Sequence, residues 1–350
     1  MVVVGTDVHK RTHTFVAADE VGRELGHLTV AADEKGHHKA IRWAREKFGA
    51  QVLWGIEDCR HLSSRLERDL LAAGQSVVRV PPKLMAQTRA SARTRGKSDP
   101  IDALAVARAV LREPDLPTAS HDEVSRELKL LVDRREDLLK HRTATINRLL
   151  WRIHELDPAM APPARSMDLA KQHRRLRVWL EALDGVVAEI ALDELADIEE
   201  LTGRVNALHK RIGALAREAA PALVALPGCA ELTAAKILGE VAGIARFKSE
   251  AAFARYSGIA PVPVWSGNTA GRVRLTRSGN RQLNAALHRI AITQIRLDGL
   301  GSAYYRRRLQ GGDSRPEALR CLKRQLSRIV YHCLKTDHQA TPATRPATAA

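Results

Sequence analysis

Apolar positions change pattern three times along the 350 residues of the chain. Val2–Val8 is a short β-branched run, read as a strand that ends near Asp7. His13–Ala18 alternates, Asp19-Glu20-Val21-Gly22-Arg23 turns, and Glu24–Val30 completes a hairpin. Lys35–Phe48 has helical spacing through Ala40, Ile41, Ala44 and Phe48. Gln51–Ile56 reads as a buried strand delivering Glu57 at its end. His61–Ala73 reads as a helix capped by Gly74, and Ser76–Val80 as a strand stopped by Pro81-Pro82. Leu84–Ala92 and Asp99–Leu111 read as helices, the second with Pro100 at its first position. Three strands, helix, strand, helix, strand, helices: this is an α/β layer whose element order matches a ribonuclease-H-like topology.

The second pattern is longer. Val124, Leu128, Leu131 and Leu138 begin an amphipathic helix that reaches Leu156. Ile198, Leu201, Val205, Leu208, Ile212 and Leu215 then form a heptad seam. Two such helices joined through Pro158–Pro163 predict an antiparallel coiled coil, either packed on its own chain or serving as an oligomerisation arm. The third pattern, from 221 onward, reads as mainly helical, and Thr336–Ala350, rich in Ala, Thr and Pro, as a disordered tail. The expected division is 1–115 for the α/β domain, 116–220 for the coiled coil, 221–335 for a C-terminal domain and 336–350 for the tail.

Charge narrows the partner. Fifty-six basic against 40 acidic residues leave +16, and residues 221–350 hold 20 basic and 7 acidic of these. Six basic residues between Arg79 and Lys97, and seven arginines between Ala251 and Leu297, stand in stretches without an acid. Solvated surfaces intersperse the signs, so these stretches point to phosphate, with Arg89, Arg93, Arg95, Lys97, Arg272, Arg274, Arg277 and Arg281 as nucleic-acid contacts. No run of about 18 apolar residues is present to span a membrane, and the first seven residues carry no basic leader. Cys59, Cys229, Cys321 and Cys333 are scattered, as reduced thiols of a cytoplasmic protein would be.

Four carboxylates stand out by position. Asp7 and Glu57 fall at strand ends, and Asp99 and Asp102 share one face at a helix start. Phosphoryl transfer uses such convergence to hold two divalent cations about 4 Å apart, and Mg²⁺ prefers carboxylate and water ligands. Each residue also has a plain reading: the Asp pair as a helix cap, Asp7 as a turn residue, Glu57 as a solvated edge residue. Asp58 would compete with Glu57 but faces the other side of the strand. His9 and His13 read as phosphate contacts or as residues without a role, rather than as a metal pair.

In the basic third, Leu226-Pro227-Gly228-Cys229-Ala230 resembles a helix-hairpin-helix turn, with Ala230 at the usual second glycine; a plain connector remains open. Ser266 lies in a Gly/Pro-rich loop among arginines. A serine hydroxyl needs activation and charge neutralisation to attack phosphorus, and Ser257 and Ser278 are rivals.

Taken in order, Gly5-Thr6-Asp7-Val8-His9-Lys10, Gly55-Ile56-Glu57, Lys97-Ser98-Asp99-Pro100-Ile101-Asp102-Ala103, Leu226-Pro227-Gly228, Tyr256–Pro261, Ser266-Gly267 and Arg277-Ser278-Gly279-Asn280 resemble the DEDD transposases of the "one-ten" insertion-sequence family, related to Piv-type DNA invertases. The resemblance implies a RuvC-like N-terminal domain in which Asp7, Glu57, Asp99 and Asp102 bind Mg²⁺, two ions per active site. It implies that Ser266 is the nucleophile of a C-terminal transposase domain, activated by the tetrad with the domains drawn from different subunits. It further implies DNA ends and target as partners, a structured guide RNA, and a dimer or tetramer formed through the coiled coil. Cytoplasmic action at the nucleoid follows. Two other functions stay open on the residues alone: a metal-dependent junction-resolving nuclease, and a non-catalytic nucleic-acid-binding architectural protein.

Overall fold

The computed structural model describes residues 1–57, 60–90, 98–113, 116, 118–120, 122–270, 273–275 and 279–340. They form two compact units, one of residues 1–123 with 241–338 and one of residues 124–240.

In the first unit β1 (Val2–Val8), β2 (Thr12–Ala18), β3 (Glu24–Ala31), β4 (Val52–Glu57) and β5 (Ser76–Val80) make one sheet in the order β3-β2-β1-β4-β5. The β1–β2 and β2–β3 pairs are antiparallel, and the β1–β4 and β4–β5 pairs parallel. This mixed sheet is the α/β layer that the element order predicts. Helices α1 (Glu34–Phe48), α2 (Arg60–Ala72), α3 (Pro82–Ala90) and α4 (Asp99–Arg112) accompany it.

Strand alternation sorts the two faces. Val4, Val8, Phe15, Trp54 and Ile56 pack with Ala40 and Ala44 of α1 and Leu66 and Leu70 of α2. Val3, Val78 and Val80 pack with Val106, Ala107 and Val110 of α4. β1 is therefore apolar on both sides, which is why its sequence is a continuous run and not an alternation. Each such aliphatic side chain, fully buried, contributes about 1.5–3 kcal/mol.

The second unit contains most of α5 (Glu123–Leu156), with α6 (Ala170–Leu180), α7 (Val186–Ala219), α8 (Pro221–Val224) and α9 (Glu231–Val241). Moving up α5, Leu128 and Val132 pack with Ile212 and Ala216, Leu138 with Leu201 and Val205, and Leu149 and Ile153 with Leu195 and Ile198. Partners descend along α7 as positions rise along α5, so the pair is antiparallel and the heptad seam is buried within one chain. The sequence reading joins these helices through Pro158–Pro163 alone. In the structure α6 intervenes, closing the far end with Leu176 and Leu180. The sequence reading also begins the C-terminal domain at 221. Instead, Val224, Leu232 and Ala235 pack on the α5–α7 pair, which places α8 and α9 in the helical unit.

The first unit resumes with α10 (Glu250–Tyr256), the strands β6 (Pro261–Pro263) and β7 (Val273–Leu275), α11 (Arg281–Arg296), α12 (Leu300–Gln310) and α13 (Arg315–Ala340). β6 and β7 pair antiparallel, an element that the mainly helical reading omits. Within this unit Ser120 Oγ donates to the Ala242 carbonyl at 3.2 Å, and Arg255 pairs with Glu113 at 2.9 Å. Disorder was expected from 336, but α13 runs on to Ala340 because its apolar period continues through Val330 and Leu334 to a buried Asp337. The rest of the tail, 341–350, lies outside the described residues. No helix among the described residues is long and apolar enough to cross a membrane. Among the described residues Cys229, Cys321 and Cys333 form no disulfide, and Cys59 lies outside the described residues.

Candidate active site

Val3 and Gly5 face α4, so Asp7, two residues further along β1, faces it as well. In β4, Gly55 lies against Val106 and Val110 of α4, and Glu57 repeats that face. Gly5 is opposite Gly55 and Thr6 opposite Ile56, so Asp7 and Glu57 occupy the next row at two parallel strand ends. A Cβ on Gly5 would stand 2.1 Å from the Ala103 carbonyl oxygen and 2.5 Å from the Ala107 nitrogen. Only glycine lets α4 lie this close. The contact brings the first turn of α4, with Asp99 and Asp102, over the Asp7 end of β1.

The helix start is not a plain side-chain cap. Ser98 is the extended N-cap residue, yet its side chain makes no capping hydrogen bond. Asp102 is 8% exposed, whereas an acid serving only the helix dipole would face water. His9, on the turn after β1, places Nε2 3.1 Å from Asp7 Oδ2 and 3.4 Å from Asp99 Oδ1. One ligand atom from each of Asp7, His9 and Asp99 lies within 4.8 Å of the others.

Burial holds the Asp7 carboxyl above the ordinary carboxylate range; His9 opposes this, and the negative charges of Asp102 and Asp99 reinforce it. Acids gathered at one strand end repel unless a cation joins them. Hard carboxylate oxygens with one borderline imidazole nitrogen suit Mg²⁺ or Mn²⁺, so the residues present fit a divalent ion. His13, by contrast, is turned into the core, buried, with its ring stacked on His37 at 5.2 Å.

Ser266 is exposed in the loop between β6 and β7, just before the 3₁₀ turn Gly267–Thr269. Beside it Trp265 is 55% exposed, and the exposed Arg274 of β7 pairs in register with Val262. The rival Ser257 is fully buried and donates to the carbonyls of Phe253 and Ala254 at 3.0 and 3.1 Å, which removes it as a nucleophile. Ser278 and Asp58 lie outside the described residues, as do Arg93, Arg95, Lys97, Arg272 and Arg277 and the side chain of Arg89. Arg281 opens α11 and is exposed. Arg79, counted in the first basic stretch, is instead a core group. It is bidentate to Glu67, with Nε 2.6 Å from Oε2, and both side chains are 11% exposed. The residue whose place sequence reasoning missed is His9; the strand alternation that aligns Asp7 with α4 reaches it two positions on.

Residues 4–155 match a family model described as "Transposase" of the DEDD, IS110 type, and residues 220–306 match "Transposase IS116/IS110/IS902 family". The 44.8 kDa protein of insertion element IS116 from Streptomyces clavuligerus is 26% identical across 97% of this chain and 96% of its own length. The 42 kDa protein of insertion element IS900 from Mycobacterium paratuberculosis is 27% identical across 99% and 98%. Among solved structures, T. thermophilus RuvC in complex with Holliday junction substrate aligns with 34% of this chain and 99% of its own. The identity there is 15% and the TM-score 0.27.

Proposed function

The chain belongs to the IS116/IS110/IS902 transposase family and is a DNA transposase; from that premise we propose that it cleaves and rejoins DNA at the ends of an insertion sequence, with Ser266 as nucleophile and Asp7, Glu57, Asp99 and Asp102 as holders of Mg²⁺. The observation that supports it most is the convergence of Asp7 and Asp99 on one point beside His9, with Asp102 buried on the same first turn of α4. A bound divalent ion supplies Lewis-acid stabilisation of phosphoryl oxygens. In the step itself a bond forms between Ser266 Oγ and phosphorus, the bond from phosphorus to one DNA oxygen breaks, the hydroxyl proton leaves and the departing oxygen gains one. The phosphoserine diester keeps the energy of the broken bond, so a DNA hydroxyl can reverse the attack and rejoin a strand. Arg274 and Arg281, both exposed, supply positive charge toward the phosphate.

The reading extends to a structured guide RNA, whose backbone the same acid-free stretches suit, and to a dimer or tetramer in which Ser266 and the carboxylates come from different subunits. Because the α5–α7 seam is filled within one chain, subunits would meet through its outer faces, where Trp151 is 74% exposed. Strand cleavage of the DNA flanking the gene, with the flanking transcript present, tests the chemistry. Both Ser266→Ala and Asp102→Asn should abolish it. Full cleavage by Ser266→Ala with loss in Asp102→Asn would instead indicate a water-using nuclease, and binding unaffected by either change with no cleavage an architectural protein.

A further inference from the structure

We propose that His9 is itself a ligand of the cation held by Asp7 and Asp99, so that the site combines oxygen and nitrogen donors and takes Mn²⁺ in preference to Mg²⁺. This rests on the reading of the carboxylates as metal holders. Neighbouring ligand atoms of an octahedral ion with bonds of about 2.1 Å stand about 3 Å apart. His9 Nε2 is 3.1 Å from Asp7 Oδ2 and 3.4 Å from Asp99 Oδ1, the separations of adjacent corners of one coordination shell. Both approaches converge on the same nitrogen. One N–H points in one direction and cannot donate well to two carboxylates from two chain elements, whereas one metal ion can bind all three groups.

The backbone supports a fixed position for the ring. His9 N donates to the Thr12 carbonyl at 3.0 Å, closing the tight β1–β2 turn, so the imidazole is presented two residues beyond Asp7 on the same face. The His9 side chain is 51% exposed and that of Asp99 50%, which leaves the outer side of the shell open to water or to a phosphate oxygen. Mn²⁺ exchanges a water for an imidazole nitrogen more readily than Mg²⁺, which is smaller and gives up its waters reluctantly. The nitrogen therefore sets the order of preference between the two ions.

The test uses the full-length protein with MnCl₂ or MgCl₂ and no nucleic acid, so it does not depend on activity. Electron spin-echo modulation on the Mn²⁺ form should show a directly bound imidazole nitrogen, absent in His9→Ala. Calorimetric titration should show Mn²⁺ binding weakened about tenfold or more in His9→Ala, with Mg²⁺ binding changed far less. Asp7→Asn should weaken both. Thermal unfolding of His9→Ala at the wild-type midpoint confirms that the fold is intact, and should it not fold, the wild-type spectrum alone decides. Mn²⁺ bound to wild type without nitrogen modulation, or modulation that survives in His9→Ala, overturns the ligand role while leaving the carboxylate reading standing. No Mn²⁺ binding by wild type overturns both.

Discussion

At Gly5 any side chain would collide with the backbone of α4, first at the carbonyl of Ala103, the residue next to Asp102. Gly5→Ala should therefore cost about 1–3 kcal/mol of stability, as overpacked cores do, and weaken Mn²⁺ binding at the same time, because α4 must lift to accept the methyl. Urea unfolding combined with metal titration checks this; wild-type values in both would refute the close approach. His13 offers a second residue-level test. Burial first, then the charge of His37, lowers its pKa to about 4. Around it stand His9 and His37, the latter hydrogen-bonded to Asp69 of α2. The unfolded chain takes up this proton near pH 6.5 and the folded chain only near 4, so the unfolded state binds more protons in between. Stability should fall as pH falls through that window, by about 3 kcal/mol from this group. Urea midpoints at pH 7 and pH 4.5 for wild type and His13→Phe isolate it, since the other groups titrate in both; equal losses would contradict the assignment.

Among the elements, the end of the helical unit depends on one packed cluster. Leu149 is fully buried against Leu176, Leu180 and Leu195, so Leu149→Ala should destabilise that unit by about 2–5 kcal/mol in urea unfolding. α6 itself was not legible in the sequence. It is short and mostly polar or basic, and its buried leucines acquire meaning only once α5 and α7 bring Leu149 and Leu195 to meet them. β6 and β7 escaped for a related reason: three-residue strands with two prolines in one of them carry no periodicity. The sheet was legible because β1 and β4 are apolar runs that end in Asp7 and Glu57, and parallel pairing aligns those ends. The helix start at Asp99 was legible too, but a cap and a site look alike there. Burial of Asp102 and a Ser98 side chain that makes no capping bond, neither of them readable from the sequence, count against the plain cap. His9 was within reach of the alternation rule, but histidine in a basic, turn-forming stretch has many uses. Ser266 and Ser257 were equal in sequence; one lies in an exposed loop and the other inside the core.

Across the whole molecule the charge excess and the site act together. Phosphate contacts release counterions, so binding to DNA should weaken steeply with salt. Arg274→Ala and Arg281→Ala should each lower the slope of log affinity against log salt by about one unit and weaken all sequences alike. Fluorescence anisotropy across a salt series reads this, and unchanged slopes would remove both arginines from the interface. As the proposed nucleophile, Ser266 becomes covalently joined to DNA. This bond is tested most directly by denaturing the protein after reaction with DNA from both flanks of its gene and mapping any attached nucleotide by mass spectrometry. Wild type should carry an SDS-resistant adduct on Ser266, and Ser266→Ala and Asp102→Asn none. Cleaved DNA without an adduct, or an adduct on another residue, would contradict Ser266 as the nucleophile.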